Sequence, residues 1–249
     1  MKRFWILTKA MFLIHLRNRI TLFWNMVFPV FLLVIYALVF GSVEVNGVNY
    51  MDWMLPGVIV LNVLAFGLMS SSTMLVNMRE TGVLRRMQAT PVPARTLLSS
   101  YLIVNISIGM LQAALILLTG VLFFDFNPSM EGVLKAIPMI IAALVVSVAL
   151  GQIVSGVAPK AGVAVALGQI LYFSQMFIAD MVMPVDRMPE WLQSVARFLP
   201  GFAITQLVRP PLLLGEWGSA VGANLLLVAG YTLAAGLLAA FLFRWAPRS

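Results

Sequence analysis

The sequence predicts an all-α polytopic membrane protein, and three observations carry that prediction. Apolar residues make up 61% of the 249-residue chain and charged residues only 10%, with a mean hydropathy of +0.99, which leaves no room for a soluble domain of ordinary composition. Several apolar runs exceed the ~20 residues that a helix needs to cross a ~30 Å hydrocarbon core. The charges sit in short islands between those runs instead of being spread along every element. Backbone amides in lipid find no water, so runs of this length are helices that satisfy their own hydrogen bonds. The ~10-residue alternating segments of a transmembrane barrel do not occur.

The chain reads as one transmembrane domain over residues 1–249. Residues 1–19 carry Lys2, Arg3, Lys9 and Arg17 on one side of a helical wheel, with Phe4, Leu7, Met11 and Ile14 facing away. This pattern predicts an interfacial helix on the cytoplasmic leaflet; a charged flank that only sets topology is the plainer reading. Charge continues to Arg19 with no small-residue cleavage site close behind, which argues against a cleaved signal peptide. Spans follow at about 20–40, with Pro29 as a kink, and at 52–76, entered through Asp52, Trp53 and Pro56. A basic segment, Asn77 to Arg95, separates these from spans at 96–124, 133–157, 163–178 and 219–243. Short polar turns at 41–50 and 125–131 and a tight loop at 158–162 join them, and residues 244–249 form a basic tail. Small residues four apart, such as Gly218 and Gly222, Ala164 and Gly168, and Gly230 and Ala234, would allow close helix approach.

Sidedness supports this layout. With both termini inside, the cytoplasmic segments hold twelve of the 16 Lys/Arg and one acid, Glu80, while eight of the nine acids lie outside. That asymmetry follows the positive-inside rule. The net charge of +7 therefore reports membrane topology and not a nucleic-acid stripe.

Between spans five and six the segment 180–217 is far longer than the other external turns and is punctuated by Pro184, Pro189, Pro200, Pro210 and Pro211. Trp191, Leu192, Val195 and Phe198 give it a short helix with one apolar face. The expectation is a re-entrant or interfacial helical hairpin in the outer leaflet, or else an ordered cap over the bundle.

Much chemistry is missing. There is no G-x-x-x-x-G-K-[ST] phosphate loop, no cysteine, and no His/Asp/Glu cluster at metal spacing. His15 is the one histidine and sits in the N-terminal stretch, where an interfacial position is expected of it. The spans hold amides, of which Asn25, Asn62 and Gln169 are candidates for lining a path, but almost no ionisable group except Asp180 at the outer end of span five. Ion-coupled carriers place charges near the midplane. If this chain moves a solute, the energy comes from another chain.

The segment RETGVLRRMQATPVPARTLLSSYL carries Glu80, Gly82, Leu84, Arg85, Arg86, Thr90, Pro91 and Pro93 in an order that resembles the hallmark of ABC-2 type exporter permeases. A second signature of that family is matched by Pro184, Met188-Pro189, Trp191-Leu192 and Leu199-Pro200; where the family has Ser-Gly before its first proline, this chain has Ala179-Asp180-Met181. The resemblance covers essentially the whole chain. It implies a permease of the plasma (inner) membrane that dimerises with a second permease copy or homologue and binds a separate ABC nucleotide-binding ATPase subunit. ATP and Mg would be held by that partner, this chain binding no cofactor itself. Coupling to the ATPase would fall to Arg79, Glu80, Gly82, Leu84, Arg85, Arg86 and Met87 on a cytoplasmic coupling helix, with Gly82 permitting close backbone approach. The exit element would comprise Pro184, Met188, Pro189, Trp191, Leu199 and Pro200. The favoured cargo is a lipophilic or amphipathic drug or antibiotic; a lipid-linked glycan is the alternative. An ion-coupled secondary carrier lacks the required midplane charge, and a membrane-embedded enzyme lacks any acid/base or metal constellation.

Overall fold

The structure, a computed structural model, describes residues 2–40, 44–45, 47–89 and 93–242. Thr90 and Pro91 of the first signature and the basic tail 244–249 lie outside the described residues, as do the side chains of Lys2, Arg3 and Arg95. The helices are α1 (Lys2–Arg17), α2 (Arg19–Phe40), α3 (Tyr50–Glu80), α4 (Val83–Gln88), α5 (Ala94–Phe123), α6 (Met130–Val157), α7 (Ala161–Ile178), α8 (Glu190–Ala196), α9 (Pro200–Leu214) and α10 (Val221–Leu242). Six of them, α2, α3, α5, α6, α7 and α10, are long and apolar enough to cross a membrane. The chain is a multi-pass, all-α membrane protein. Its β structure, among the described residues, is one antiparallel pair of two-residue strands, β1 (Glu44–Val45) and β2 (Val48–Asn49).

Helix ends differ from the apolar runs where polar residues keep the backbone helical. The turn expected over 41–50 holds the β1–β2 pair, and α3 starts at Tyr50, where the Asn49 side chain accepts from the Met51 N–H at 2.9 Å. At its other end α3 runs past Val76 to Glu80. Hydropathy marks where a helix leaves lipid, not where its hydrogen bonds stop. In the same way α6 starts at Met130, because Ser129 caps the Gly132 N–H at 3.0 Å. Helix α2 passes through Pro29 as one continuous helix.

Helix α3 is the interior of the molecule. Of its apolar window, 67% of residues are buried, against 11% for α2 and 17% each for α7 and α10; those three therefore keep broad faces for lipid or another subunit. Around α3 pack α2, α5, α6, α7 and α9. Of the pairs suggested by the four-residue spacing, Ala164 and Gly168 do pack against α3, a Cβ on Gly168 lying 3.2 Å from the Ser72 hydroxyl, but the tightest approaches come from other glycines. A Cβ on Gly57 would lie 2.1 Å from the Met181 carbonyl oxygen, and one on Gly151 would lie 2.7 Å from that of Leu68. A Cβ on Gly222 or Gly230 would meet nothing within 4 Å.

Between α7 and α10, where a helical hairpin is expected, the chain forms two successive helices, α8 packing against α7 and α9 against α3, α6, α7 and α10. The apolar face of α8 points away from the bundle, with Trp191 and Phe198 each 69% exposed. Helix α9 is longer than the apolar stretch 202–208 suggested, because the helix continues through Pro210 and Pro211 to Leu214. Its 15 residues make about 22 Å at 1.5 Å per residue, too short to cross a bilayer. Most of α9 is buried, including Pro200, Gly201, Ile204, Thr205 and Arg209.

Gly57→Ala should destabilise the purified protein by about 1–3 kcal/mol through overpacking, read as a lower thermal midpoint in detergent. Gly222→Ala should be neutral or stabilising by up to ~1 kcal/mol, since glycine weakens a helix interior. Equal behaviour of the two variants would contradict the α3–Met181 contact.

Candidate functional site

The basic segment folds into a corner. Helix α3 ends at a Thr81-Gly82 turn in which the Thr81 hydroxyl donates to the Asn77 carbonyl at 2.8 Å. Gly82 takes a φ of +70° and begins α4. A Cβ there would meet nothing within 4 Å in this chain, so no close approach inside the chain accounts for this glycine. The left-handed turn requires it. Leu84 is fully buried, Met87 is half-buried, and Arg85 and Arg86 are exposed.

Arg79 and Glu80 point in different directions and do different work. Arg79 is buried, and its guanidinium donates to the Ser155 carbonyl at 3.1 Å and to the Ala158 carbonyl. Those are carbonyls at the C-terminus of α6, which the helix itself leaves unbonded. The Glu80 carboxylate accepts from the Ala161 N–H at 3.1 Å, at the N-terminus of α7, where negative charge is favoured. Adjacent residues at one helix end thus hold both sides of the α6–α7 elbow. The three arginines do not form one patch: Arg79 braces, while Arg85 and Arg86 face outward.

At the opposite end of the bundle lies a second polar centre. Asp180 has a φ of +58°, a left-handed conformation that Asp adopts more readily than most residues. Its carboxylate accepts from Arg209 at 2.5 Å, from the Gln206 amide at 3.0 Å and from the Val185 N–H at 2.9 Å. Arg209 also donates to the Trp53 carbonyl at 2.9 Å and stacks 3.9 Å above the Trp53 ring. The Tyr50 hydroxyl donates to the Val182 carbonyl at 2.9 Å, and Gln175 accepts from the Gly201 N–H at 2.9 Å. These contacts tie α9 and the α7 terminus to the start of α3. Within the proposed exit element, Pro184, Met188 and Pro200 are buried, Leu199 is half-buried, and Pro189 and Trp191 are exposed.

A cavity of about 680 Å³ lies between α1, α2, α3 and α5. It brings together Asn25 and Asn62, and adds Gln112 and His15. Gln169 is not part of it and lies exposed on α7. His15, expected at the interface, turns inward and packs edge-on against Phe66 with centroids 5.6 Å apart. Burial pushes its imidazole below the ordinary value, which keeps it neutral at pH 7.

Sequence reasoning missed Arg209 and Gln175. Arg209 stands just past the apolar stretch 202–208 and before two prolines, where charge counting registers it only as an external cation, although an arginine in so apolar a segment signals the need for a partner.

Comparison with known proteins agrees with the layout. A family model described as ABC-2 type transporter matches residues 2–213. "Putative transport permease YvfS" of Bacillus subtilis (strain 168) is 26% identical over 237 residues, 92% of this chain and 92% of its own. "Putative transport permease ycf38" of Cyanophora paradoxa is 24% identical over 211 residues, 82% of this chain and 71% of its own. "ABC transporter G family member 20" of Dictyostelium discoideum is 22% identical over 168 residues, which are 67% of this chain and 23% of that protein.

Removing one partner of the buried pair, as Asp180→Leu or Arg209→Met, should cost about 3–5 kcal/mol, because the other charge is left buried and unpaired. The double variant should recover most of that loss. Thermal unfolding of the four proteins in detergent measures this; additive losses would show that the pair is not the organising contact.

Proposed function

The chain belongs to the ABC-2 type transporter family, and from that premise we propose that it is the permease subunit of an ATP-driven exporter that moves a lipophilic or amphipathic compound out of the cell. It works as one of two permease copies in a plasma membrane, with both termini in the cytoplasm, as the charge asymmetry supports. A separate ABC ATPase subunit binds ATP and Mg and seats α4. The chain has no phosphate-loop motif of its own, which supports assigning hydrolysis to the partner.

The observation that carries this reading is the α3–α4 corner. A docking surface for a motor has to be exposed, and Arg85 and Arg86 are exposed. It also has to be stiffly joined to the spans, and the Arg79 and Glu80 hydrogen bonds join it to α6 and α7 as well as to α3. A push on α4 then displaces three helices together, where a floppy loop would absorb it. At the far end the same α3 meets the Asp180–Arg209 pair and α9, the second helix of the proposed α8–α9 hairpin. In this reading the hairpin lies in the outer leaflet and releases cargo, with its exposed Trp191 and Phe198 in lipid. The size and apolar lining of the α1–α2–α3–α5 cavity suit a small amphiphile better than a lipid-linked glycan.

With the complex of permease and ATPase in proteoliposomes, Glu80→Ala and the pair Arg85→Glu with Arg86→Glu should each lower ATP-driven transport about fivefold or more, the size of a typical coupling free energy. Membrane insertion should be unchanged, and basal ATP hydrolysis should persist. Full transport by these variants would overturn the assignment of the corner. Transport by the permease alone, collapsed by an uncoupler, would overturn the reading as an ATP-driven exporter.

A further inference from the structure

We propose that the outward face of α1, continued by the α1–α2 corner, binds anionic phospholipid of the cytoplasmic leaflet. The sequence places Phe4, Leu7, Met11 and Ile14 on one side of this helix, the side that an interfacial helix lays into lipid. In the structure that side serves the protein instead. Helix α1 packs against α5; Met11 is 4% exposed, Phe4 and Leu7 are half-buried, and of the four Ile14 alone is exposed. The Phe4 carbonyl accepts from the Ser100 hydroxyl of α5 at 3.4 Å. The opposite side is left to hold the membrane, and it carries the cations.

Trp5, Ile6, Lys9, Leu13, Leu16 and Arg17 fall within about one third of the helical wheel, and all are exposed, Ile6 at 69%. Long cationic side chains among apolar ones match the boundary between head groups and acyl chains. The charged tip reaches a phosphate while its stem and the apolar neighbours stay in hydrocarbon. The height of α1 is right for this. Beside Ser100, the Tyr101 hydroxyl meets Ser70 of α3 at 2.8 Å, and there both helices turn polar, with Ser70 to Thr73 on α3 and Ser99 and Ser100 on α5. The corner Arg17-Asn18-Arg19 comes just before the first spanning window, Phe23–Phe40.

Charge decides which lipid fits. Residues 1–43 hold Lys2, Arg3, Lys9, Arg17 and Arg19 and no Asp or Glu. Among the described residues, none of Lys9, Arg17 and Arg19 is in an ion pair. Glu80, the one acid assigned to this side of the membrane, is already engaged by the α7 N-terminus. A zwitterionic head group brings its own cation to such a surface. An anionic one supplies the missing counter-charge, at about fivefold in affinity for each Lys or Arg. An acidic protein surface would meet the same cations, but the apolar Trp5, Ile6, Leu13 and Leu16 interleaved with them, at the entry to a span, favour lipid. Lipid binding here does not depend on the exporter reading.

The test uses the full chain in phosphatidylcholine nanodiscs. The chain has no cysteine, so Ala10→Cys, at an exposed position beside this face, carries a single bimane fluorophore. Its quenching is read as phosphatidylglycerol or phosphatidylcholine with brominated acyl chains replaces part of the host lipid. At equal, low mole fraction the phosphatidylglycerol should quench about fivefold or more strongly, with a saturable component that the phosphatidylcholine lacks. Added salt should shrink that excess, because exposed charges are screened beyond about 8 Å at physiological ionic strength. Lys9→Gln/Arg17→Gln/Arg19→Gln should bring phosphatidylglycerol down to the phosphatidylcholine level. Lys9→Arg/Arg17→Lys/Arg19→Lys keeps the charges and should retain the excess, which separates lost charge from misfolding. Equal quenching by the two lipids at low salt would overturn the proposal, as would an undiminished excess in the triple Gln variant. If neither lipid quenches the label and an added ABC ATPase subunit shields it from an aqueous quencher, the face docks protein, and the proposal is overturned as well.

Discussion

Helix α3 carries no charged residue between Asp52 and Arg79, yet a buried guanidinium engages each of its ends. Near its start, Arg209 donates to the Trp53 carbonyl and covers the Trp53 ring; at its end, its own Arg79 donates to the C-terminus of α6. Because both points lie on one continuous 31-residue helix, neither can shift along the helix axis without loading the other. Packing reinforces this, since Gly57, Gly67 and Gly151 let α3 meet Met181 and α6 with no clearance for a side chain. Spans α2, α5, α6 and α7 are arranged around this rod and α10 packs on α6 and α9, and the outer ones keep faces that no described residue covers.

The two arginines differ in what they offset. Arg209 is matched by a full carboxylate, and its π contact with Trp53 adds to that match. Arg79 instead meets carbonyl dipoles at a helix C-terminus, where the macrodipole favours positive charge. A salt bridge deep in an apolar protein is a poor source of stability, but breaking it is expensive. Its value is in specifying one arrangement of α9 against α3. Helix α9 is too short to span and has two prolines in its interior, Pro210 and Pro211, so it depends on that specification more than any spanning helix does.

The spans were legible because lipid forces long apolar runs into helices, and the charge islands gave their order. Helix ends were not, because Asn77 to Glu80 and Met130 to Gly132 stay helical through capping and backbone bonds that hydropathy does not register. Asp180 stood out as an ionisable group at a span end, but its partner lies 29 residues away, past the apolar stretch 202–208 and beside two prolines. Glu80 and Gly82 were recognisable as special from the local motif. That Glu80 bonds the α7 N-terminus, and that Gly82 makes a left-handed turn, depend on tertiary geometry. Among the amides, periodicity gave no means of ranking Asn62 and Gln112, which face one cavity, above Gln169, which faces outward.

The functional account joins these facts into one path, from an exposed α4, through α3, to the outer polar centre. Its central claim is that a partner ATPase sits on the α4 corner. The chain has no cysteine, so a single cysteine placed at exposed Ala89, just after α4, reports contact without interference. In native membranes, Ala89→Cys is predicted to cross-link to an ATPase carrying a phosphate-loop motif, with the yield changing when ATP is added, while Trp191→Cys on α8 does not. Cross-linking to that ATPase from Trp191→Cys in place of Ala89→Cys, or from neither, would contradict the account.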